Sequence, residues 1–193
     1  MKPNELLSIL SVAERLKCAT RHCDTSTGRR ESVAEHSWRL SLMAMLLADS
    51  FPGTDIDRVI KMCLIHDLGE AFTGDIATFY KTDADSQAED QAYQNWVMSF
   101  PPFQQEQFLQ LLQEMSDLKT NEAKLYKALD KLEAVIQHNE SDISTWLPLE
   151  YELQLTYGAA EVAFSPYLTE LKELINQWTI DKIRIESKSD RAT

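Results

Sequence analysis

Turn-forming residues are scarce in this chain of 193 residues, which has five glycines and six prolines. A many-stranded sandwich or barrel spends those residues on its turns, so the shortage excludes that class and favours helices. Positive charge is also short. Nineteen Lys and Arg face 31 Asp and Glu, a net charge of −12 at pH 7. Binding a nucleic acid polymer through counterion release needs arrays of Lys and Arg, so no such partner is expected. A phosphorylated small molecule would have to be received by a cation and a few placed arginines. The three cysteines, Cys18, Cys23 and Cys63, cannot all pair and form no Cys-x-x-Cys, which suggests free thiols in a reducing cytoplasm. No stretch reaches 18 uncharged apolar residues, and the opening MKPNELLSILSVAERLK carries charges through its apolar positions. Neither a membrane span nor a signal peptide is expected, and the chain reads as soluble and cytoplasmic. Phosphate-cradling and dinucleotide glycine loops and a G-x-S-x-G serine elbow are missing as well.

What is present is helical periodicity on a scale that suits one domain. Leu6, Ile9, Leu10, Ala13 and Leu16 predict a first helix over 4–17, and the polar stretch from Cys18 to Arg30 reads as a loop. Ser32 and Glu35 form a capping box that opens a helix to about Phe51, where Pro52 and Gly53 stop it. Asp55 caps a third helix expected to end near Gly69. Further helices are expected over 84–99, from Pro102 to about Met115, and over 121–139, 147–158 and 166–184, the last capped by Ser165. The fold class is therefore all-α, a single-domain helical bundle over 1–185, with a solvated tail over 186–193.

Chemistry is concentrated in Cys63-Leu64-Ile65-His66-Asp67-Leu68-Gly69-Glu70. A His and an Asp end an apolar helix, where ionisable groups are costly unless paired or bound to a metal. Glu70 lies four residues past His66 and shares its face if the last turn holds. His36 sits in the first turns of the capped helix, and Asp130 interrupts an apolar helix between Lys127 and Lys131. Each has a plainer reading: a satisfied buried His with a capping Asp, or a surface Asp beside lysines. Together, two His and two Asp on three helices make a closed N/O set for one divalent cation. Outside this set, Asp75 after Thr73-Gly74 reads equally as a turn residue, and Arg21 as one more loop charge. Cys18, His22 and Cys23 lack a fourth ligand, His138 reads as a surface residue, and the four tryptophans read as core or interface residues.

The order His36, His66-Asp67, Asp130 resembles the H…HD…D pattern of the HD-domain metal-dependent phosphohydrolases. Glu31-Ser-Val-Ala-Glu-His36-Ser, His66-Asp-Leu-Gly-Glu70 and Thr73-Gly-Asp75-Ile are similar to the 5′-nucleotidase branch, including the nucleotide phosphohydrolase of oxetanocin biosynthesis. The resemblance spans roughly residues 5 to 165. It implies that His36, His66, Asp67 and Asp130 hold the metal. Glu70 and Asp75 match the acidic pair beside the metal-bound water and the scissile phosphate, which marks them as catalytic. Arg21 falls at a phosphate-binding position. His22 falls where the deoxynucleotidases usually carry Trp beside the sugar, so it joins the substrate-binding set and leaves deoxyribose preference open.

The implied reaction releases phosphate from nucleoside 5′-phosphates, monophosphates by default, with analogue di- and triphosphates as in the oxetanocin branch, by attack of the metal-bound water. Two other readings stay open: an HD hydrolase of a cyclic or alarmone nucleotide, and a non-catalytic helical regulator with a structural metal. No histidine lies between Asp67 and Asp130, where dinuclear relatives draw extra ligands, so one ion is expected. Co²⁺ or Mn²⁺ is expected, with Fe²⁺ or Mg²⁺ as alternatives, since the ligand set does not select among them beyond two imidazoles disfavouring Mg²⁺ somewhat. The small-molecule nucleotide is the expected partner. A homodimer is also expected, since relatives commonly dimerise and 121–184 carries surplus apolar residues.

Overall fold

Caps set the boundaries of the helices. The computed structural model describes residues 1–189, with side chains through residue 185. Pro3–Ala13 (α1) ends in a 3-10 turn through Lys17. Val33–Leu46 (α2) opens on the expected capping box, in which the Ser32 hydroxyl accepts from the Glu35 amide at 3.2 Å and the Glu35 carboxylate accepts from the Ser32 amide at 2.9 Å. Ile56–Ile65 (α3) is capped by Asp55, whose side chain accepts from the Arg58 amide at 3.0 Å. It stops at Ile65 instead of near Gly69. His66–Gly69 form a turn that leads into the short helix Glu70–Thr73 (α4). Asp83–Val97 (α5) starts on a Thr82–Asp85 box, and Pro102–Asp117 (α6) ends on Leu118 in the left-handed region. Asn121–Glu140 (α7), capped by Thr120, is the longest buried helix among the described residues.

The segment expected as one helix over 147–158 is shorter and is followed by a second piece, Glu150–Thr156 (α8) and Ala159–Val162 (α9). Gly158 divides them at φ +80°, a conformation that costs a side-chain-bearing residue strain. Pro166–Ser189 (α10) runs past the expected end at 184. Of the expected tail, residues 190–193 lie outside the described residues.

The expected loop over 18–30 is a correction: it contains a two-stranded antiparallel ribbon, Thr20–Asp24 (β1) and Arg30–Ser32 (β2), joined through a turn with Gly28 at φ +80°. The strands are too short and too polar to show a period-two apolar pattern, so no sequence signal marks them. The ribbon packs on α7.

One hydrophobic cluster runs from Leu16 to Ile175, with Leu125, Ala128, Leu129, Leu132 and Val135 of α7 wholly or almost wholly shielded. α2 and α3 pack on each other and on α7. This three-helix contact brings the ionisable residues of the sequence motif together. Trp146 is buried, as expected of a core residue, whereas Trp38 and Trp178 are exposed.

Candidate metal centre and adjoining cavity

Four side chains converge where α2, the turn after α3, and α7 meet. His36 Nε2 lies 3.2 Å from His66 Nε2, 3.3 Å from Asp130 Oδ1 and 3.8 Å from Asp67 Oδ2. His66 Nε2 lies 3.0 Å from Asp67 Oδ2 and 3.7 Å from Asp130 Oδ1. Ligands about 2.1 Å from a shared ion stand about 3.0–3.4 Å apart, which is close to this spacing. The other ring nitrogens are already committed. His66 Nδ1 donates to the Cys63 carbonyl at 2.8 Å, and His36 Nδ1 meets the Glu133 carboxylate in a short contact. Each ring therefore holds a proton on Nδ1 and turns its Nε2 inward. Two facing Nε2 atoms flanked by two carboxylates call for positive charge among them, a proton on His66 or a bound cation. The donor set thus fits one divalent metal, with both histidines oriented from behind.

The titration of these groups shows the same demand for positive charge. Burial opposes protonation of His66, but Asp67 and Asp130 outweigh it and lift the imidazole to about 10. Burial likewise disfavours the Asp67 carboxylate, yet His66 and His36 hold it well below the usual range. Asp130 is held down by Lys127, 3.0 Å from its Oδ2, and by the two imidazoles. The lysines that suggested a surface Asp are in fact its partners.

Glu133 is the residue that sequence reasoning missed. It is fully buried, meets His36 and Arg21 (3.2 Å), and accepts from Arg39 Nε at 2.6 Å. Burial favours its neutral form, but His36, Arg21 and Arg39 bring it down to about 2. A signal was present: Glu133 follows Asp130 by three residues on the same face of α7. Glu31, also buried, shares Arg21 at 3.4 Å and receives the Cys23 thiol at 3.2 Å. Glu31, His36 and Glu133 could also surround an ion, but Arg21 and Arg39 already supply two positive charges to those two carboxylates, so the His36–His66 side is the better cation site. Cys23 is spent on this hydrogen bond and joins no thiol metal cluster among the described residues.

Glu70 opens α4 and is buried, with Oε2 lacking a partner. Burial, helped by Asp67, Asp75 and Glu89, pushes its carboxyl up to about 9. Asp75 follows Gly74, which sits at φ +75°, and is itself raised by burial and by Asp67 despite Arg21.

Arg21 and Asp75 also line a cavity of about 80 Å³, together with His22, Phe79, His138, Glu150 and Tyr157. None of the four donor residues lines it. The cavity therefore adjoins the centre and does not contain it. His138, expected at the surface, is a correction: its Nε2 lies 3.0 Å from Glu150 Oε1 on the cavity wall. Arg21 is likewise no solvated loop charge, because β1 aims it at two buried carboxylates.

The family model described as the HD domain matches residues 13–172. The chain belongs to the HD-domain family. Among solved structures, this HD domain is similar to a protein described as a predicted metal-dependent phosphohydrolase from Magnetospirillum magnetotacticum. The TM-score is 0.78 at 27% identity, covering 93% of both chains. It is also similar to a conserved hypothetical protein from Pyrococcus furiosus, with a TM-score of 0.69 at 28% identity, covering 89% of this chain and 99% of that one. Curated relatives include the 5′-deoxynucleotidase HDDC2 of Dictyostelium discoideum, 36% identical over 57% of this chain and 62% of that protein. The human HDDC2 is 30% identical over 58% and 55%. The chain thus spans about 55–62% of the length of these two curated relatives.

Proposed function

We infer that the HD domain is a mononuclear metal-dependent phosphohydrolase that releases phosphate from nucleoside 5′-monophosphates. The convergence of His36, His66, Asp67 and Asp130, with both Nδ1 atoms tied off, carries this reading. The names of the curated relatives support the nucleotide class and the monophosphate. Nothing favours the di- and triphosphates of the oxetanocin branch over it. The donor chemistry favours Mn²⁺, Co²⁺ or Fe²⁺ over Mg²⁺, since two imidazoles suit the later metals. When bound, such an ion supplies a Lewis acid and a water that ionises near neutral pH.

The chain's own residues supply the rest. Arg21, at the junction of centre and cavity, binds the phosphate through charge-assisted hydrogen bonds. Glu70, whose carboxyl burial and the neighbouring Asp67 push upward and whose Oε2 is unpartnered, is placed to hold or pass a proton beside the leaving oxygen. Asp75, between Glu70 and the cavity, orients the attacking water. The cavity beside Arg21 can take only part of the nucleoside.

Three free thiols, two of them buried, support placing the protein in a reducing cytoplasm; no helix among the described residues is long and apolar enough to cross a membrane. The exposed Leu174 and Trp178 of α10 suit a homodimer face. The deciding experiment measures phosphate release from nucleoside mono-, di- and triphosphates with Mn²⁺, Co²⁺ and Mg²⁺, alongside elemental analysis. Turnover of monophosphates with one metal per chain is expected. Two metals per chain, or no turnover of any nucleotide, overturns the reading.

A further inference from the structure

Gln154 is 4% exposed and lines the cavity from α8, yet its carboxamide makes no hydrogen bond with any described residue. Its backbone is held by α10. The Gln154 carbonyl accepts from Lys172 Nζ at 2.8 Å, and the Leu155 carbonyl accepts from Asn176 Nδ2 at 3.1 Å. A buried carboxamide left unpaired on a fixed backbone costs free energy that a ligand can return. Glu150 lies four residues earlier, on the same face of α8 and in the same cavity wall. It is 1% exposed. Its Oε2 accepts from the Leu147 amide at 2.6 Å, and its Oε1 faces His138 Nε2 at 3.0 Å. Burial opposes its charge, but His138 and the Leu147 amide outweigh burial and hold the carboxyl below its usual value. A carboxylate offers about four acceptor sites, so capacity remains after these contacts.

The space these groups line, about 80 Å³, is room for about five to eight waters. It suits one planar ring system and not a whole nucleoside. In a nucleoside 5′-phosphate whose phosphate meets Arg21, the unit that carries donors and acceptors side by side in one plane is the base. A carboxamide matches such an edge with two parallel hydrogen bonds, as it does with adenine. Alone it is ambivalent, since it meets an amino group beside a ring nitrogen as well as a carbonyl beside a ring N–H. The Glu150 carboxylate removes that ambivalence: it accepts the second hydrogen of an amino group and repels a carbonyl oxygen. We propose that Gln154 and Glu150 read the base of the substrate and select an exocyclic amino group, so that adenine and cytosine are preferred over their oxo counterparts, hypoxanthine and uracil. Both are specificity-determining residues, and Lys172 and Asn176, which hold the end of α8, are positioning residues. This rests on the proposed nucleotide phosphohydrolase activity.

The experiment holds the sugar constant and compares 2′-deoxycytidine with 2′-deoxyuridine 5′-monophosphate, and 2′-deoxyadenosine with 2′-deoxyinosine 5′-monophosphate. kcat/KM is measured with Mn²⁺, and binding by calorimetry on metal-free protein, a readout independent of turnover. The amino member of each pair should lead by about 10-fold or more in both, the effect of one hydrogen bond to a charged group. Glu150→Gln, which can donate as well as accept, should erase the lead. Gln154→Leu keeps the volume and should weaken binding of the amino members by about 3- to 10-fold, the effect of one neutral hydrogen bond. The comparison on the parent protein stands even where a variant fails to fold. Equal binding within each pair, a lead for the oxo members, absence of nucleotide binding, or a lead that survives Glu150→Gln overturns the proposal. Base discrimination in binding without phosphate release from any nucleotide leaves the base site standing and removes the hydrolase reading instead.

Discussion

Glu133 shows how much a single unflagged residue can organise. Its carboxylate holds the His36 ring from behind while satisfying Arg21 and Arg39. Glu133→Gln keeps the volume and removes the charge, so metal affinity should fall about 10–100-fold, the usual effect of losing a group behind a ligand. Titration with Mn²⁺ or Co²⁺ checks it, and unchanged affinity would show that His36 is oriented by packing alone. Glu70 tests the opposite case, a carboxylate outside the ligand set. Glu70→Ala should retain the metal and lose about 10²–10⁴-fold in kcat. Metal content and turnover are measured on one preparation, and loss of both in parallel would make Glu70 a ligand. His36, His66, Asp67 and Asp130 were legible because caps and spacing put polar donors on otherwise apolar faces. Glu133 was legible only through its spacing of three from Asp130, because a Glu inside a helix rich in lysines otherwise looks like an ordinary solvated residue until the ribbon that covers it is known.

Among the elements, α2 and α3 could be read from their caps and α7 from its apolar stripe. The ribbon could not, since five- and three-residue strands full of charge carry no period. Nor could the early end of α3, after which the turn makes a close approach to α5. A Cβ added to Gly69 would lie 2.8 Å from Glu89 Cγ and 3.4 Å from Tyr93 Cβ, so the bare backbone of the turn after His66-Asp67 lets α5 settle against it. Gly69→Ala must push α5 away, and overpacking of this kind costs about 1–3 kcal/mol. Thermal unfolding should show that loss, with weakened metal binding because the displaced turn carries two ligands. A variant as stable as the parent would mean that α5 moves freely.

For the whole molecule, the raised groups at the centre set the pH response. In metal-free protein His66 sits at about 10 and Glu70 at about 9, above their unfolded values of about 6.5 and 4.3. A group raised by folding contributes stability that is full below its unfolded pKa and is lost as pH rises through its folded one. The Glu70 contribution therefore declines from about pH 4.3 to 9, and that of His66 from about 6.5 to 10. Metal-free protein should melt at progressively lower temperature between pH 6.5 and 9. Excess Mn²⁺ should flatten that slope, because the metal takes the place of the proton at His66. Melting curves with and without metal across this range check it; a metal-free melting temperature independent of pH would contradict the assignment.

α7 supplies Asp130 to the candidate metal centre, Glu133 to His36, and His138 to the cavity wall, all from one unbroken run of backbone. Each inserted residue rotates the remainder of a helix by about 100° and advances it by 1.5 Å, so a single insertion between 130 and 138 would swing the cavity wall away from a centre that stayed in place. Descent should therefore have frozen the length of this segment while leaving its composition freer. Related chains aligned on the HD pair should carry their insertions and deletions in the broken stretch over 141–165 and none over 130–138. A functional relative with a gap inside that window would mean that wall and centre can be inherited separately.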